Sequence, residues 1–282
     1  MNKFKSFFTI LAFIWLYSCG FWALFRWIST GDIAWLGLAV NALALPVWMS
    51  LRWWRPARYR GSLREDPAFA AVLLGLAVVL VTDTGKDEPT YLAIYNLFIL
   101  LVYLFHLSAL RQPEMPRVNE RFPPLCTVEG QRLDPAAGVR AGNAEGLVLV
   151  FLRGTFCADS RALLSKLPEL GELLNRYNAQ LILFSTENKG RWTRLWCGGE
   201  LPEIVQLAEE EEGNRLFVAA GGQPLWLRLF RSPTPTAAAC RPSLWLLDSE
   251  GIVLWRHLPG NYRTPGDVDL LKGQLSRLGN RG

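Results

Sequence analysis

The sequence contains little of what metal sites and disulfide frameworks are built from. It has only two histidines, His106 and His257, which lie far apart in the chain, and its five cysteines are irregularly spaced with no Cys-x-x-Cys pair. Structural zinc sites and disulfide frameworks need such residues at short, regular spacings. The sequence therefore predicts no metal site and no structural disulfides, which fits a soluble part in a reducing compartment.

Two other kinds of binding motif are also missing. There is no glycine-rich loop of the type that binds nucleotide phosphates, because Gly221-Gly222 is typical of a simple turn. The formal net charge is +5, but no basic stripe alternates with aromatic residues on a soluble element. We therefore expect no cofactor and no nucleic-acid partner. The acidic run Glu209 to Glu212 is typical of a solvated face or loop.

Apolar residues, in contrast, are abundant and concentrated in the first 110 residues. Half of the chain is hydrophobic. The apolar stretches that lack charge are Ser6 to Phe25, Ile33 to Leu51, Pro67 to Thr82 and Pro89 to Leu110. A helix of about 20 residues spans a bilayer, so three stretches are long enough and the third, at about 16 residues, is marginal. We predict an α-helical transmembrane bundle of four spans in residues 1–111, with the lipid bilayer as its partner.

The basic residues beside these stretches predict an orientation. Lys3 and Lys5 precede the first span, and Arg111, Arg117 and Arg121 follow the fourth. A cluster between the second and third spans consists of Arg52, Arg55, Arg58, Arg60 and Arg64. Lys and Arg remain on the cytoplasmic side of a membrane, and a basic residue on the other side, such as Arg26, can reach the interface with its side chain. We expect a multi-pass inner-membrane protein with both termini in the cytoplasm.

Three residues inside the apolar stretches allow other interpretations. Cys19 ends a segment that resembles a lipoprotein signal, but the apolar residues after it favour an ordinary span. Placing polar side chains such as Asn96 and His106 of the fourth stretch inside the membrane costs free energy, so these residues can mark a functional pathway. The alternative is that Asn96 bonds a neighbouring helix and that His106 lies near the cytoplasmic end.

After a proline-rich linker at 112–124, residues 125–282 have the composition of a soluble α/β domain. Thr127 to Leu133 predicts a small hairpin, and the continuous apolar run Gly146 to Leu152 predicts a strand buried on both faces. Leucines at helical spacing then lead to a second strand, Gln180 to Ser185, which completes a β-α-β unit with parallel strands. Cys157 lies where the first strand gives way to the helix.

The end of the chain predicts a hairpin followed by a helix. Ser243 to Leu247 and Ile252 to Trp255 are strand-like and flank a turn at Asp248 to Gly251. The last helix is predicted to begin at Thr264-Pro265, with Thr264 as N-cap, and to end near Gly279. The element order of the domain is therefore β-α-β, an insertion, and β-β-α.

This order and the position of Cys157 resemble the thioredoxin fold, and in particular the alkyl hydroperoxide reductase and thiol-specific antioxidant (peroxiredoxin-like, redoxin) family. The Arg-Gly-x-x-Cys element from Arg153 to Cys157 carries the resemblance, which covers about Pro123 to Gly279. It implies a redox-active nucleophile at Cys157 and a cis-proline at Pro242 that faces it. A helix N-terminus favours the thiolate form of a cysteine, which is the reactive one.

The chain also departs from the family pattern. Ser160 replaces the second cysteine of Cys-x-x-Cys, so that no vicinal disulfide forms, and Asp159 adds a negative charge that opposes the thiolate. The peroxidase threonine and arginine have only approximate counterparts in Thr155 and Arg241. A one-cysteine cycle needs a second thiol to resolve the sulfenic acid. The candidate resolving thiols are Cys240, Cys197 and Cys126, although Cys240 is also typical of a small buried residue.

These features support two hypotheses. The first is a membrane-anchored thiol oxidoreductase or antioxidant that uses Cys157 to reduce peroxides or exchange disulfides, with a thiol reductant as partner. The second is a catalytically degenerate module of the same fold that binds or holds a membrane protein. A placement of the domain outside the cytoplasm, as in membrane-linked disulfide reductases, is a further alternative to the predicted orientation.

Overall fold

The chain forms two compact units, the helical unit Met1–Ala109 and the α/β unit Leu110–Gly282. The computed structural model describes residues 2–54, 65–141, 143–196, 202–209, 211–221, 238–261 and 266–279. Several sequence-based assignments fall outside these ranges in whole or in part. They are Cys197, the N-cap Thr264-Pro265, Glu210 of the acidic run, Gly222 of the turn, and Arg55, Arg58, Arg60 and Arg64 of the basic cluster.

The helical unit consists of apolar helices joined by short connections where these are described. The helices are α1 (Asn2–Thr30), α2 (Ile33–Trp54), α3 (Asp66–Thr82) and α4 (Glu88–Leu101), and α4 continues into a π-helix at Val102–Leu107. Many large apolar side chains on these helices are exposed, among them Phe21, Leu74 and Phe98. Apolar surface of this kind is expected where lipid replaces water.

Three of these helices, and not the four that we predicted, are long and apolar enough to cross a membrane. The candidate spans are Ile10–Thr30, Ile33–Arg52 and Glu88–Leu107. The third predicted span, α3, has only 17 residues, which corresponds to about 26 Å at 1.5 Å per residue and is shorter than the hydrocarbon core of about 30 Å. The expectation that both termini share one side requires an even number of crossings, so it stays a prediction that depends on whether α3 also crosses.

The polar residues of the fourth apolar stretch lie in different surroundings. Asn96 is buried, accepts a hydrogen bond from the Trp15 indole at 3.0 Å and donates one to the Cys19 sulfur at 3.5 Å. Cys19 is therefore an ordinary buried residue between α1 and α4. His106 is exposed in the π-helix. Asn96 thus bonds a neighbouring helix, which is the structural alternative stated above.

A five-stranded sheet forms the centre of the α/β unit. Its strands, in spatial order, are β5 (Glu203–Gln206), β4 (Ala179–Ser185), β3 (Gly146–Phe151), β8 (Ser243–Asp248) and β9 (Val253–His257). The first three are parallel, whereas β8 and β9 run antiparallel to their neighbours. This arrangement confirms the predicted β-α-β unit, the central position of β3 and the final hairpin.

Helices and short strands surround this sheet. The short strand pairs are β1 (Leu125–Cys126) with β2 (Arg132–Leu133) and β6 (Val218–Gly221) with β7 (Ala238–Cys240). The helices are α5 (Pro135–Ala141), α6 (Ala158–Lys166), α7 (Gly171–Arg176), α8 (Lys189–Thr193), α9 (Val268–Gln274) and α10 (Ser276–Gly279), with 3-10 turns at Leu167–Leu170 and Glu212–Asn214. The pairing of β1 with β2 confirms the predicted hairpin.

The central strand β3 is buried on both faces because its side chains alternate between two cores. Leu147, Leu149 and Phe151 pack with Phe122, Phe184 and Trp245 on one face. Val148 and Val150 pack on the other face with leucines of α6 and α9. Alternation of this kind explains why the strand is apolar throughout rather than at every second position.

The segment 112–124, which we predicted to be a linker, packs against the α/β unit. Phe122 lies in the core, with its ring centroid 5.1 Å from those of Phe217 and Trp245. Backbone hydrogen bonds also join Asn119 to Val253 and Phe122 to Gly251. This segment is therefore part of the domain.

The described part of the last helix begins later than we predicted. Asp267 is the N-cap of α9, and its carboxylate accepts a hydrogen bond from the Val268 amide at 2.7 Å. Lys166 at the end of α6 donates to the same carboxylate at 2.7 and 2.8 Å. The described part of α10 reaches Gly279, near which we predicted the last helix to end.

Candidate functional site

The candidate site lies at the carboxyl edge of the parallel strands β3 and β4. Phe151 and Phe184 are paired in register, and the Leu152 amide donates to the Phe184 carbonyl at 2.8 Å. The carboxyl ends of parallel strands meet at one edge of a sheet, where α/β proteins commonly bind ligands. The segments that follow the two strands, 153–157 and 185–187, are therefore neighbours.

Cys157 is the N-cap residue of α6. Its backbone is extended, with φ −87° and ψ 118°, and its carbonyl accepts the first hydrogen bond of the helix, from Arg161 at 3.1 Å. The side chain is half-buried and packs against Phe156 and Ala239. The first amides of a helix point outward with their hydrogens unbonded within the helix, which gives this end a partial positive charge. The thiol is thus partly accessible at the N-terminus of a helix.

The loop before Cys157 turns sharply at Gly154. This glycine has φ +154°, and a Cβ placed there would lie 2.4 Å from the Phe156 ring. The Arg153 guanidinium lies over the same ring, 5.3 Å from its centroid. The ring is mostly buried against Ala239 and cannot easily move away. The Gly154 of the family-like element is therefore required by the conformation of the loop.

Hydrogen bonds hold three amides of this loop, which we call the Cys157 loop (residues 153–157). The Ser160 hydroxyl accepts from the Arg153 amide at 3.1 Å, and the Gly154 carbonyl accepts from the Cys157 amide at 3.0 Å. The Thr155 amide donates to the Glu187 carboxylate at 2.6 Å. Ser160 is buried, and Thr155 contributes a backbone contact. Both therefore support the loop in this structure.

Glu187 is the residue of this site that the sequence analysis missed. It follows β4 within Ser185-Thr186-Glu187, and its side chain is only 1% exposed. A glutamate is rarely buried unless it is paired, so nothing in the local sequence distinguished it from a surface residue. The available signal was its position at the end of a strand parallel to the one that leads to Cys157.

Cys240 is oriented away from Cys157. Adjacent side chains of a strand point to opposite faces, and in β7 it is Ala239 that contacts Cys157. Cys240 is fully buried in the opposite core beside Phe217 and Val218. Burial raises the pKa of its thiol far above the usual range, and the charges of Glu209 and Glu187 add to this effect, whereas a hydrogen bond with the Thr186 backbone opposes it. Cys240 is therefore held as a neutral thiol.

The expected cis-proline is wrong. None of the described residues has a cis peptide bond, and the Arg241-Pro242 bond is therefore trans. The Arg241 guanidinium, considered as a counterpart of the peroxidase arginine, donates to the Arg111 carbonyl at 2.8 Å. The Arg241 amide donates to the Phe217 carbonyl at 2.6 Å. The resemblance carries over to the β3-α6 junction but not to the peptide bond before Pro242.

Cys126 lies in β1 and is half-buried. Its backbone is hydrogen-bonded by the buried side chain of Asn214, which accepts from the Cys126 amide at 2.9 Å and donates to the Cys126 carbonyl at 2.6 Å.

Among the described residues, no group of three or more His, Cys, Asp or Glu side chains is arranged to hold a metal ion.

Solved structures with a related arrangement are peroxiredoxins and similar proteins. A mutant of the peroxiredoxin 6 of Arenicola marina is 17% identical, with a TM-score of 0.44, over 58% of this chain and 73% of that chain. A peroxiredoxin-like protein from Aquifex aeolicus is 12% identical, with a TM-score of 0.43, over 60% of this chain and 92% of its own. The thiol peroxidase from Chromobacterium violaceum is 15% identical, with a TM-score of 0.36, over 62% and 94% of the two chains.

No family model matches the chain, and no curated protein matches it. Similarity of this degree does not carry an activity from one protein to another, since one fold supports many functions. The function must therefore be inferred from the surroundings of Cys157.

Proposed function

We propose that the chain is a membrane-anchored thiol oxidoreductase of the peroxiredoxin-like kind, with Cys157 as its single nucleophilic cysteine. The observation that supports this most directly is the position of the Cys157 thiol, half-buried at the N-terminus of α6 and at the carboxyl edge of β3. Thr155 and Ser160 support the loop through the Thr155 amide and the Ser160 hydroxyl.

The proposed reaction has three steps. The Cys157 thiolate attacks one oxygen of a peroxide, the O–O bond breaks, and the leaving alkoxide or hydroxide takes a proton from water. The sulfur loses two electrons and becomes a sulfenic acid while the peroxide gains them. A thiol reductant then attacks the sulfenic sulfur and water leaves, which gives a mixed disulfide that a second thiol resolves. Cys240 faces the opposite core, and we propose that the reducing thiol belongs to another molecule, with Cys197 as the alternative within the chain.

The proposal also includes an anchor and a side of the membrane. Three candidate spans support insertion in the inner membrane. Arg111, Arg117 and Arg121 follow α4 and favour a cytoplasmic α/β domain, where thiol reductants are abundant. Lys3, Lys5 and the basic cluster after α2 share that side only if the shorter helix α3 also crosses the membrane, and the proposal includes this crossing. A reporter enzyme that is active only in the cytoplasm, fused after Gly282, should be active. Activity only of an extracytoplasmic reporter would place the domain outside the cytoplasm.

A second candidate, a non-catalytic module that binds a membrane protein, is favoured by the negative charges near the thiol. Asp159 lies in the first turn of α6, and Glu187 is buried beside the Cys157 loop. Neither group is one that a nucleophilic thiol requires. The two candidates predict opposite reactivities for Cys157.

Trapping of the sulfenic acid distinguishes the two candidates. The full chain in detergent micelles is treated with hydrogen peroxide and dimedone, and the adducts are located by mass spectrometry. We expect an adduct at Cys157 that disappears in Cys157→Ser and persists in Cys240→Ala. Absence of the adduct from a folded protein whose Cys157 also alkylates no faster than an ordinary thiol would support the non-catalytic module.

A further inference from the structure

Glu187 is a buried carboxylate for which the proposed reaction has no use. Its side chain is 1% exposed, at the carboxyl end of β4. Burial of an ionised carboxylate costs several kcal/mol unless hydrogen bonds and charges compensate for it. A glutamate at such a position therefore needs contacts that justify its burial.

One hydrogen bond of this carboxylate is made with the Cys157 loop. Its Oε2 accepts from the Thr155 amide at 2.6 Å, whereas its Oε1 lies 3.4 Å from Nη1 of Arg191, a residue whose side chain is 35% exposed. The contact with Thr155 is the shorter of these two, and its donor is a backbone amide and not a partly exposed side chain.

The backbone that carries Glu187 is itself held firmly. Its amide donates to the Ser185 hydroxyl at 3.1 Å, and the next residue back, Thr186, is bonded on both sides. The Thr186 hydroxyl donates to the Ala238 carbonyl at 3.2 Å, and the Gln206 side chain donates to the Thr186 carbonyl at 3.3 Å. Glu187 thus connects a rigid strand end to the loop beside it.

We infer that Glu187 is the positioning residue of the Cys157 loop, and that it acts through the Thr155 amide. This inference rests on the proposed function of Cys157. Only Phe156 lies between Thr155 and Cys157 in the chain, so fixing the Thr155 amide limits the directions in which the thiol can point. The Ser160 hydroxyl fixes Arg153 from the other side, and Gly154 supplies the turn between these two amides.

The role of Glu187 depends on its hydrogen bond and not on its charge. A negative charge beside the loop disfavours a thiolate, so the charge by itself does not assist a nucleophilic Cys157. A glutamine has the same length and still offers an oxygen to the Thr155 amide. An aspartate keeps the charge, but its oxygens stop about 1.5 Å short of this amide, which is the length of one C–C bond.

Amide hydrogen exchange in the full chain tests this inference. We expect Glu187→Asp to raise the exchange rate of the Thr155 amide about tenfold, because a loop that has lost an anchor opens more often. Alkylation of Cys157 should slow severalfold, because the thiol is then held less firmly at the N-terminus of α6. Glu187→Gln should leave both rates within about twofold of the wild type. The matched control is Glu169→Gln, which changes an exposed carboxylate paired with Lys272 and should leave the Cys157 loop unaffected.

Exchange of the β3 and β4 amides, measured in the same samples, reports whether the domain remains folded. Retention of the Thr155 protection in Glu187→Asp, or its loss in Glu187→Gln, overturns the inference. Both variants keep a polar side chain of similar size, so that folding is preserved. The exchange result is independent of the reactivity of wild-type Cys157. Failure of the inference is thus distinguishable from failure of the proposed function.

Discussion

Each of the two units contains a buried glutamate, and the two are stabilised in different ways. In the helical unit, Glu65 precedes α3 and accepts from the Arg52 guanidinium and from the Tyr103 hydroxyl, both at 3.2 Å. The Arg52 and Glu65 side chains are each 5% exposed. In the α/β unit, the short contact of Glu187 is to a backbone amide, and its arginine is partly in solvent.

This difference shows what each carboxylate stabilises. Glu65 and its partners come from the end of α2, the start of α3 and the π-helix after α4, so they bind three helical elements together. Glu187 connects a strand end to a loop that carries a thiol. We therefore expect changes near Glu65 to affect the stability of the helical unit, and changes near Glu187 to affect mainly the reactivity of Cys157.

The largest effect is expected from Arg52→Leu. This change leaves the buried Glu65 carboxylate without its arginine, which costs about 3–5 kcal/mol when one partner of a buried pair is removed. Thermal unfolding of the full chain in micelles, followed by helical circular dichroism, measures the loss.

Two variants serve as controls for this prediction. Arg117→Leu breaks an ion pair with Glu114 in which the side chains are 68% and 85% exposed, and it should change stability by less than about 1 kcal/mol. The double variant Arg52→Leu with Glu65→Leu should recover most of the loss, because no unpaired charge remains. A single variant as stable as the wild type would show that the Arg52–Glu65 pair does not support the helical unit.

A smaller loss is expected from Gly154→Ala in the α/β unit. An alanine at φ +154° is strained by about 1–3 kcal/mol, and its methyl group would contact the Phe156 ring. Alkylation of Cys157 should slow as the loop shifts. The matched control is Gly171→Ala, since a Cβ at this position meets nothing within 4 Å. Equal alkylation rates in wild type and Gly154→Ala would show that the loop conformation does not matter for the thiol.

The buried thiol of Cys240 should make the stability of the α/β unit depend on pH. Since burial raises its pKa in the folded state, the thiol stays protonated there while the unfolded chain releases the proton above about pH 8.5. The contribution of the buried thiol to the free energy of unfolding is therefore fully present at neutral pH. It is lost as the pH rises, by up to about 1.4 kcal/mol per pH unit. Denaturant unfolding of wild type and Cys240→Ala should differ in this slope. Parallel pH curves would contradict the neutral buried thiol.

The smallest effect is expected from Asn96→Leu in the helical unit. The change removes the hydrogen bonds to Trp15 and Cys19, and hydrogen bonds between membrane helices average about 0.6 kcal/mol. We expect a slight decrease of the unfolding temperature and no change at Cys157. A loss as large as that of Arg52→Leu would point to a role for Asn96 beyond helix packing.

Much of the α/β fold was predictable because its elements have strong local signals. The apolar run of β3 and the leucine spacing after Cys157 indicated a strand and a helix, and parallel pairing with β4 followed from the β-α-β order. The N-cap position of Cys157 was predictable for the same reason. Phe122 had no such signal, because it is a single aromatic residue in a proline-rich segment, and its burial depends on distant residues such as Trp245.

The parts of the site that were not predictable depend on tertiary contacts. Glu187 is buried by a loop more than 30 residues earlier in the chain, and its sequence neighbours do not show this. Cys240 was a candidate resolving thiol because it is close to Pro242 in sequence, but strand alternation turns it into the opposite core. In the helical unit, hydropathy alone did not settle whether α3 is long enough to span.

Competitive alkylation of Cys157 and Cys126 in the full chain tests the central proposal most directly. Both thiols are half-buried in the same domain, but only Cys157 lies at the N-terminus of a helix. A thiolate reacts and a thiol does not, so an iodoacetamide pulse at pH 7 followed by mass spectrometry compares the two positions. Our account predicts that Cys157 reacts about tenfold faster than Cys126. Equal rates, or slower reaction at Cys157, would contradict the assignment of Cys157 as a nucleophile.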